Sequence, residues 1–161
     1  MKIMLEEMLL ETMHTRGLTL ATAESCTGGL VSDRITNVSG SSEYFPGGVV
    51  AYSYEAKVNL LGVSWDTLST HGAVSEETVI EMARGVRKLF NANIGLSVSG
   101  IAGPMGGLPD KPVGTTWIGL ATISGEWARQ FVWDGDRAQN KHYSAEAALR
   151  FALDYLEGKL E

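Results

Sequence analysis

The sequence predicts an α/β fold, a mixed β-sheet covered by helices on both faces. Helical segments separate the early strands, the order that parallel crossovers require, whereas two late strands flank Ser124-Gly125 and read as an antiparallel hairpin. At 161 residues the chain is about one domain long and can bury a core. It reads as a single domain over 1–161, with no repeat, low-complexity tract or linker.

Leu5, Met8, Leu9 and Met13 recur at helical spacing, so residues from about 2 to 15 form an amphipathic helix ended by Gly17. LTLATAES reads as a buried strand and runs through CTGG into a helix, LVSDRITNV. SGSSEYFPGG is a turn-rich loop. GVVAYS follows as a strand, and then a short helix from about Glu55 to Leu61. After the break HGAVS, Ser75 caps a helix whose first turn holds Glu76 and Glu77. Val79, Met82, Val86 and Phe90 trace its apolar face down to Asn91. IGLSVSG is a strand that delivers the loop IAGPMGGLPDKPVG, and TTWIGLATIS and EWARQFVW form the hairpin. The last helix spans about Asp136 to Leu156, with Tyr143, Ala147, Phe151 and Tyr155 four apart.

A formal charge of −6 argues against general nucleic-acid affinity, because phosphate backbones attract basic faces; a local positive pocket for one small anion is still allowed. The single cysteine, Cys26, rules out an intrachain disulfide and suits a reducing compartment. Glu6, Glu7 and Glu11 interrupt the first apolar segment, so it is a helix and not a secretory signal, and no apolar run approaches bilayer length. A cytoplasmic protein with no membrane or nucleic-acid partner is expected.

Four segments could carry chemistry. ATAESCTGG places Ser25 at the carboxyl end of a strand beside a helix N-terminus, where ligands of α/β folds collect and free N–H groups can stabilise an oxyanion. The competing reading, that Ser25 or Thr27 caps the helix, is the commoner use of such residues. Cys26 is a rival nucleophile, but isolated cysteines are more often small buried hydrophobes. In AYSYEAK, Tyr52, Tyr54 and Lys57 lie where a strand passes into a helix. A lysine in a dry pocket loses proton affinity and can serve as a base; most lysines are solvated instead. SGIAGPMGG matches neither the dinucleotide fingerprint nor the P-loop, and is either a backbone cradle for an anion or a long turn. In WDGDRAQNK, Arg137 falls in the first turn of the last helix, where the helix dipole disfavours a cation. A bound phosphate would account for it; so would a surface pair with Asp136. His14, His71 and His142 fit no metal-ligand spacing, and Gly-x-Ser-x-Gly is missing.

Taken in order, TAESCTGG, GSSEYFPGGVVAYSYEAK, HGAVSEETVIEMARG, SVSGIAGPMGG, KPVGTTWIGLA and GDR resemble the C-terminal domain of the CinA competence/damage-inducible family, from about Leu18 to Leu156. The family includes stand-alone nicotinamide-nucleotide amidohydrolases. The resemblance implies a three-layer α/β/α sandwich, similar to anticodon-binding domains in topology. It implies deamidation of nicotinamide mononucleotide to nicotinic acid mononucleotide and ammonia, with no cofactor and no metal. Ser25 matches the family's nucleophile, Lys57 its general base, Tyr52 the tyrosine before it, and Arg137 a phosphate-binding arginine. The expected scheme has N–H groups near Cys26 and Thr27 on the oxyanion, Gly28 against the substrate, and Gly103, Gly106 and Gly107 beside the phosphate. Tyr52 would orient Lys57 or relay a proton.

Three positions depart from the family pattern: Tyr54 in place of asparagine, Met105 in place of aspartate, and Lys141 in place of an arginine. They keep open the alternative of a nucleotide-binding module that no longer turns substrate over. A protein-interaction role in DNA uptake fits the acidic balance poorly. Exposed aromatics and the first amphipathic helix lead to an expectation of homo-oligomers.

Overall fold

The computed structural model describes residues 2–160. Six helices and five strands follow one another as α1 (Leu5–Arg16), β1 (Leu20–Glu24), α2 (Leu30–Thr36), β2 (Gly47–Val50), α3 (Tyr54–Leu61), α4 (Trp65–His71), α5 (Glu76–Leu89), β3 (Ile94–Gly100), β4 (Thr115–Ala121), β5 (Glu126–Val132) and α6 (Arg137–Leu156). A 3₁₀ turn, Ser41–Glu43, precedes β2. The strands form one sheet in the order β2-β1-β3-β4-β5. β1 pairs parallel with β2 and β3, while β3–β4 and β4–β5 are antiparallel. The mixed sheet predicted from the element order is therefore observed.

Alternation along β1 divides the interior in two. Leu20 joins Leu96, Val98, Ile118 and Leu120 in a core covered by α1, α2 and α6, whereas Ala21 and Ala23 face the opposite core with Leu61, Met82 and Val86. The second face is built for close approach. A side chain at Gly95 would meet the Ala83 carbonyl at 2.0 Å, and one at Gly119 the Val79 carbonyl at 2.5 Å. Ser97 Oγ donates to the same Val79 oxygen at 2.5 Å. Small residues thus let α5 lie directly on the sheet. On the other face α6 buries Ala145, Ala148 and Ala152 together with Ala147 and Phe151 of the row read from the sequence, while Tyr143 is exposed.

Element boundaries shift by a few residues from expectation, and α4 was not anticipated. It is short, starts where Ser64 Oγ accepts from Asp66 and Thr67 N–H, and buries only Leu68. Among the described residues no helix is long and apolar enough to cross a membrane.

Candidate active site

The three parallel strands end side by side, and Ser25 and Lys57 come together at their carboxyl ends. Ser25 follows β1, with its N–H bonded to the Val98 carbonyl of β3 at 3.0 Å. On the other side, Ala51 N–H just beyond β2 donates to the Glu24 carbonyl at 2.9 Å. Gly28 (φ +61°) and Gly29 (φ +104°) then turn the chain into α2 through two consecutive left-handed conformations, which only glycine adopts freely.

Lys57 arrives from α3. Ser53 caps that helix by accepting from Ala56 N–H at 3.0 Å, so Lys57 sits in its first turn with its side chain leaning back toward the N-terminus. Its Nζ lies 2.8 Å from Ser25 Oγ, 2.9 Å from the Ala51 carbonyl and 3.2 Å from the Tyr52 carbonyl. The residue is 1% exposed. Carbonyls can only accept, so two N–H groups are committed to Ala51 and Tyr52, and the remaining tetrahedral position faces the serine hydroxyl. Among the described residues no carboxylate forms an ion pair with Lys57. Burial without a counter-charge lowers its pKa from 10.5 to about 8.

The capping reading of Ser25 and Thr27 is not what the structure contains. Gly29 is the N-cap of α2 and offers no side chain. The N–H groups of Val31 and Ser32 are instead taken by the buried carboxylate of Glu24, at 2.8 and 3.1 Å. Thr27 Oγ1 donates to the same carboxylate at 2.6 Å. Glu24 is a site residue that the sequence reading missed; its one signal was an acid closing an otherwise uncharged buried strand. Among the described residues no backbone carbonyl accepts from Cys26 or Thr27 N–H. The Cys26 thiol is pushed up to about 12 by burial and stays protonated at neutral pH.

Arg137 is the first residue of α6. Its Nη1 donates to the Gly103 carbonyl at 2.9 Å and its Nη2 to the Tyr52 hydroxyl at 3.3 Å. Asp136 does not pair with it, but caps α6 by accepting from Gln139 N–H. Tyr52 therefore divides its role. Its carbonyl holds Lys57, while its phenol, on a residue 65% exposed, turns to the arginine and not to the amine. Arg137, Ala102, Pro104, Val113 and Gly135 line an open cleft of about 550 Å³.

Of the predicted loop glycines, Gly103 is buried beside Arg137, whereas Gly106 and Gly107 lie on the exposed outer part. Asn140, also unanticipated, ties the two walls together by donating to the Ala102 carbonyl and accepting from Gly135 N–H, both at 3.0 Å. Lys141, one turn beyond Arg137, brings its Nζ to 3.8 Å from where a Gly28 Cβ would stand. Tyr54 and Met105 are exposed, Met105 at 85%. The histidines lie apart: His14 pairs with Glu43, His71 with Glu77, and His142 is exposed on α6.

A family model for the CinA C-terminal domain matches residues 2–156. The chain is 49% identical over 150 residues to a CinA-like protein of Salinibacter ruber, covering 93% of this chain and 36% of the relative. To a CinA-like protein of Kosmotoga olearia it is 49% identical over 156 residues, covering 97% and 37%. The chain thus spans little more than a third of the length of these curated relatives. Solved structures match along nearly their whole length. A competence/damage inducible protein from Agrobacterium tumefaciens has a TM-score of 0.91 at 34% identity, covering 98% of this chain and 99% of that one. A competence damage-inducible protein A from Klebsiella pneumoniae has a TM-score of 0.92 at 35% identity, covering 95% of each.

Proposed function

This chain belongs to the CinA C-terminal domain family, and we propose that it is an amidohydrolase that converts nicotinamide mononucleotide to nicotinic acid mononucleotide and ammonia. The observation that carries the reading is the buried Lys57 amine, unpaired by any carboxylate and 2.8 Å from Ser25 Oγ. A carboxamide is a poor electrophile, so its hydrolysis needs an activated nucleophile and a stabilised oxyanion. With a pKa of about 8, roughly one Lys57 in ten is neutral at pH 7. That amine takes the Ser25 proton as Oγ attacks the amide carbon. The N–H groups of Cys26 and Thr27 receive the oxyanion. The Lys57 ammonium then protonates the departing nitrogen, which leaves as ammonia, and a water deprotonated by the same amine hydrolyses the acyl-enzyme.

Arg137 supports a phosphorylated substrate. Two of its five N–H donors are bound to protein, which leaves the remainder for phosphate oxygens, and the anchored phosphate positions the amide. A binding module without turnover fits less well. Burying an unpaired amine opposes folding, and a pocket kept for binding alone gains nothing from it. The test is ammonia release from the purified protein with amide-bearing nucleotides. Ser25→Ala abolishes release and Cys26→Ala leaves most of it; the reverse pair of outcomes refutes the assignment, and thermal stabilisation by the nucleotide without ammonia favours the silent module.

A further inference from the structure

Glu24 has no role in the scheme above, yet it is 1% exposed and directly precedes the nucleophile. Its carboxylate collects four hydrogen bonds. Oε1 accepts from Thr27 Oγ1 at 2.6 Å and Val31 N–H at 2.8 Å, and Oε2 from Ser32 N–H at 3.1 Å and Ser32 Oγ at 2.7 Å. Among the described residues no cation pairs with it. A buried carboxylate is costly unless its oxygens are fully bonded, so an arrangement in which four neutral donors converge on it fixes those donors firmly.

The donors are telling. Thr27 lies three residues past Glu24, so their bond closes a side-chain ring around Ser25 and Cys26. Val31 and Ser32 belong to the first turn of α2, so the same carboxylate locks the turn to the helix. The backbone contributes Ser25 N–H to Val98 and Gly28 N–H to the Ser25 carbonyl at 3.2 Å. Leu30 N–H bonds the Thr27 carbonyl at 3.1 Å, and among the described residues only Glu24 holds Thr27 by its side chain. We infer that Glu24 is a positioning residue for the nucleophile: through Thr27 and α2 it holds the turn in which Ser25 Oγ faces Lys57. The inference rests on the Ser25–Lys57 reading and adds a third residue that sets its geometry.

Glutamine has the same shape but cannot substitute. It offers one oxygen and one NH₂, and in either orientation an N–H of Val31 or Ser32 faces another donor. Hydroxyls can rotate to accept; backbone N–H groups cannot. Thr27→Val removes the 2.6 Å bond alone at nearly constant volume.

The test reads Ser25 reactivity without the natural substrate. A fluorophosphonate forms an Oγ–P bond as the P–F bond breaks; fluoride leaves and the hydroxyl proton passes to Lys57. Labelling rates are measured from pH 6 to 9.5 in wild type, Ser25→Ala, Glu24→Gln, Thr27→Val and the double variant, beside thermal melts. Expected are labelling of wild type but not Ser25→Ala, and a roughly 10- to 100-fold slower rate in Glu24→Gln, the order that misplacement of reacting groups produces. Thr27→Val is slowed in the same direction, and the double variant is no slower than Glu24→Gln. The midpoint of the pH profile stays where it is in wild type, because Glu24 does not bond Lys57. Wild-type rates in Glu24→Gln overturn the inference while leaving the serine nucleophile standing. Slow Glu24→Gln with native Thr27→Val assigns Glu24 to the fold alone and also overturns it, as does a displaced midpoint. Absence of wild-type labelling removes the Ser25 reading and the inference together.

Discussion

Replacing Lys57 with methionine keeps most of the stem and deletes the amine, and the structure fixes how stability should respond to pH. The folded pKa is about 8 against 10.5 in water, a difference worth about 3 kcal/mol at 1.36 kcal/mol per unit. Above 10.5 the amine is neutral in both states and folding incurs no charge penalty. As pH falls from 10.5 to 8 the unfolded chain binds a proton that the folded chain does not, and the wild type loses those 3 kcal/mol. Below 8 both states are protonated and the loss is complete. Methionine has no such dependence. At pH 7 the variant escapes the penalty but leaves the Ala51 and Tyr52 carbonyls and Ser25 Oγ without their donor, at about 1 kcal/mol each. The two proteins should therefore be nearly equal in stability at pH 7. At pH 10.5 the wild type should be ahead by about 3 kcal/mol.

Urea unfolding at pH 7, 8, 9, 10 and 10.5, with both proteins measured side by side, gives that difference. The difference matters because absolute stability falls at alkaline pH for another reason. Burial raises the Cys26 and Tyr44 pKa values, so the unfolded chain ionises first at both. Burial, the largest cause of both shifts, is the same in the two proteins, so those contributions largely cancel, and only the smaller Lys57–Cys26 coupling differs between them. A difference that stays flat across the range, or that grows toward acid, would show that folding does not lower the Lys57 pKa, and the neutral base at position 57 would be lost with it.

The same depressed value predicts a kcat/KM profile for ammonia release that climbs from pH 6 to 9 with its midpoint near 8; a plateau already reached at pH 6.5 speaks against a lysine base. Arg137→Ala should raise KM for the nucleotide at least about tenfold with a smaller change in kcat, because the guanidinium acts on a remote group of the substrate. Equal losses with the nucleotide and its phosphate-free riboside would contradict phosphate binding there. Arg137→Lys should recover only part of the affinity, since a point charge lacks the planar fork.

Much of this was legible in the sequence, for reasons that differ from residue to residue. Helices between early strands and a Ser124-Gly125 hairpin dictate a mixed sheet, because parallel strands need crossovers and antiparallel ones need only a turn. A strand running into Cys-Thr-Gly-Gly marks a turn that requires left-handed backbone, and such a turn at the carboxyl end of a parallel strand is where a site forms. Less could be read at Lys57. AYSYEAK states that a lysine follows a strand, but its altered basicity comes from the Ala51 and Tyr52 carbonyls and from burial, which are properties of the packed chain. The phenol of Tyr52 follows the same logic: its partner, Arg137, is 85 positions away. α4 escaped because a seven-residue helix with one buried side chain has almost no periodicity to detect.

Glu24 is the instructive omission. Carboxylates are rarely buried without a cation, and a reading by residue type therefore sends a lone acid to the surface. Here the donors that satisfy it are main-chain groups of the helix that it precedes, together with two hydroxyls, and these exist only once Gly28 and Gly29 have turned the chain. The pattern runs through the whole site. Each ionisable group at its centre is held by neutral partners: Lys57 by two carbonyls and a hydroxyl, Glu24 by two N–H groups and two hydroxyls. Pairing Lys57 directly with a carboxylate would have restored its proton affinity and removed the base. Separating the two charges leaves the carboxylate to fix the turn and keeps the amine poised to lose its proton, a division of labour between residues 24 and 57 that a salt bridge would abolish.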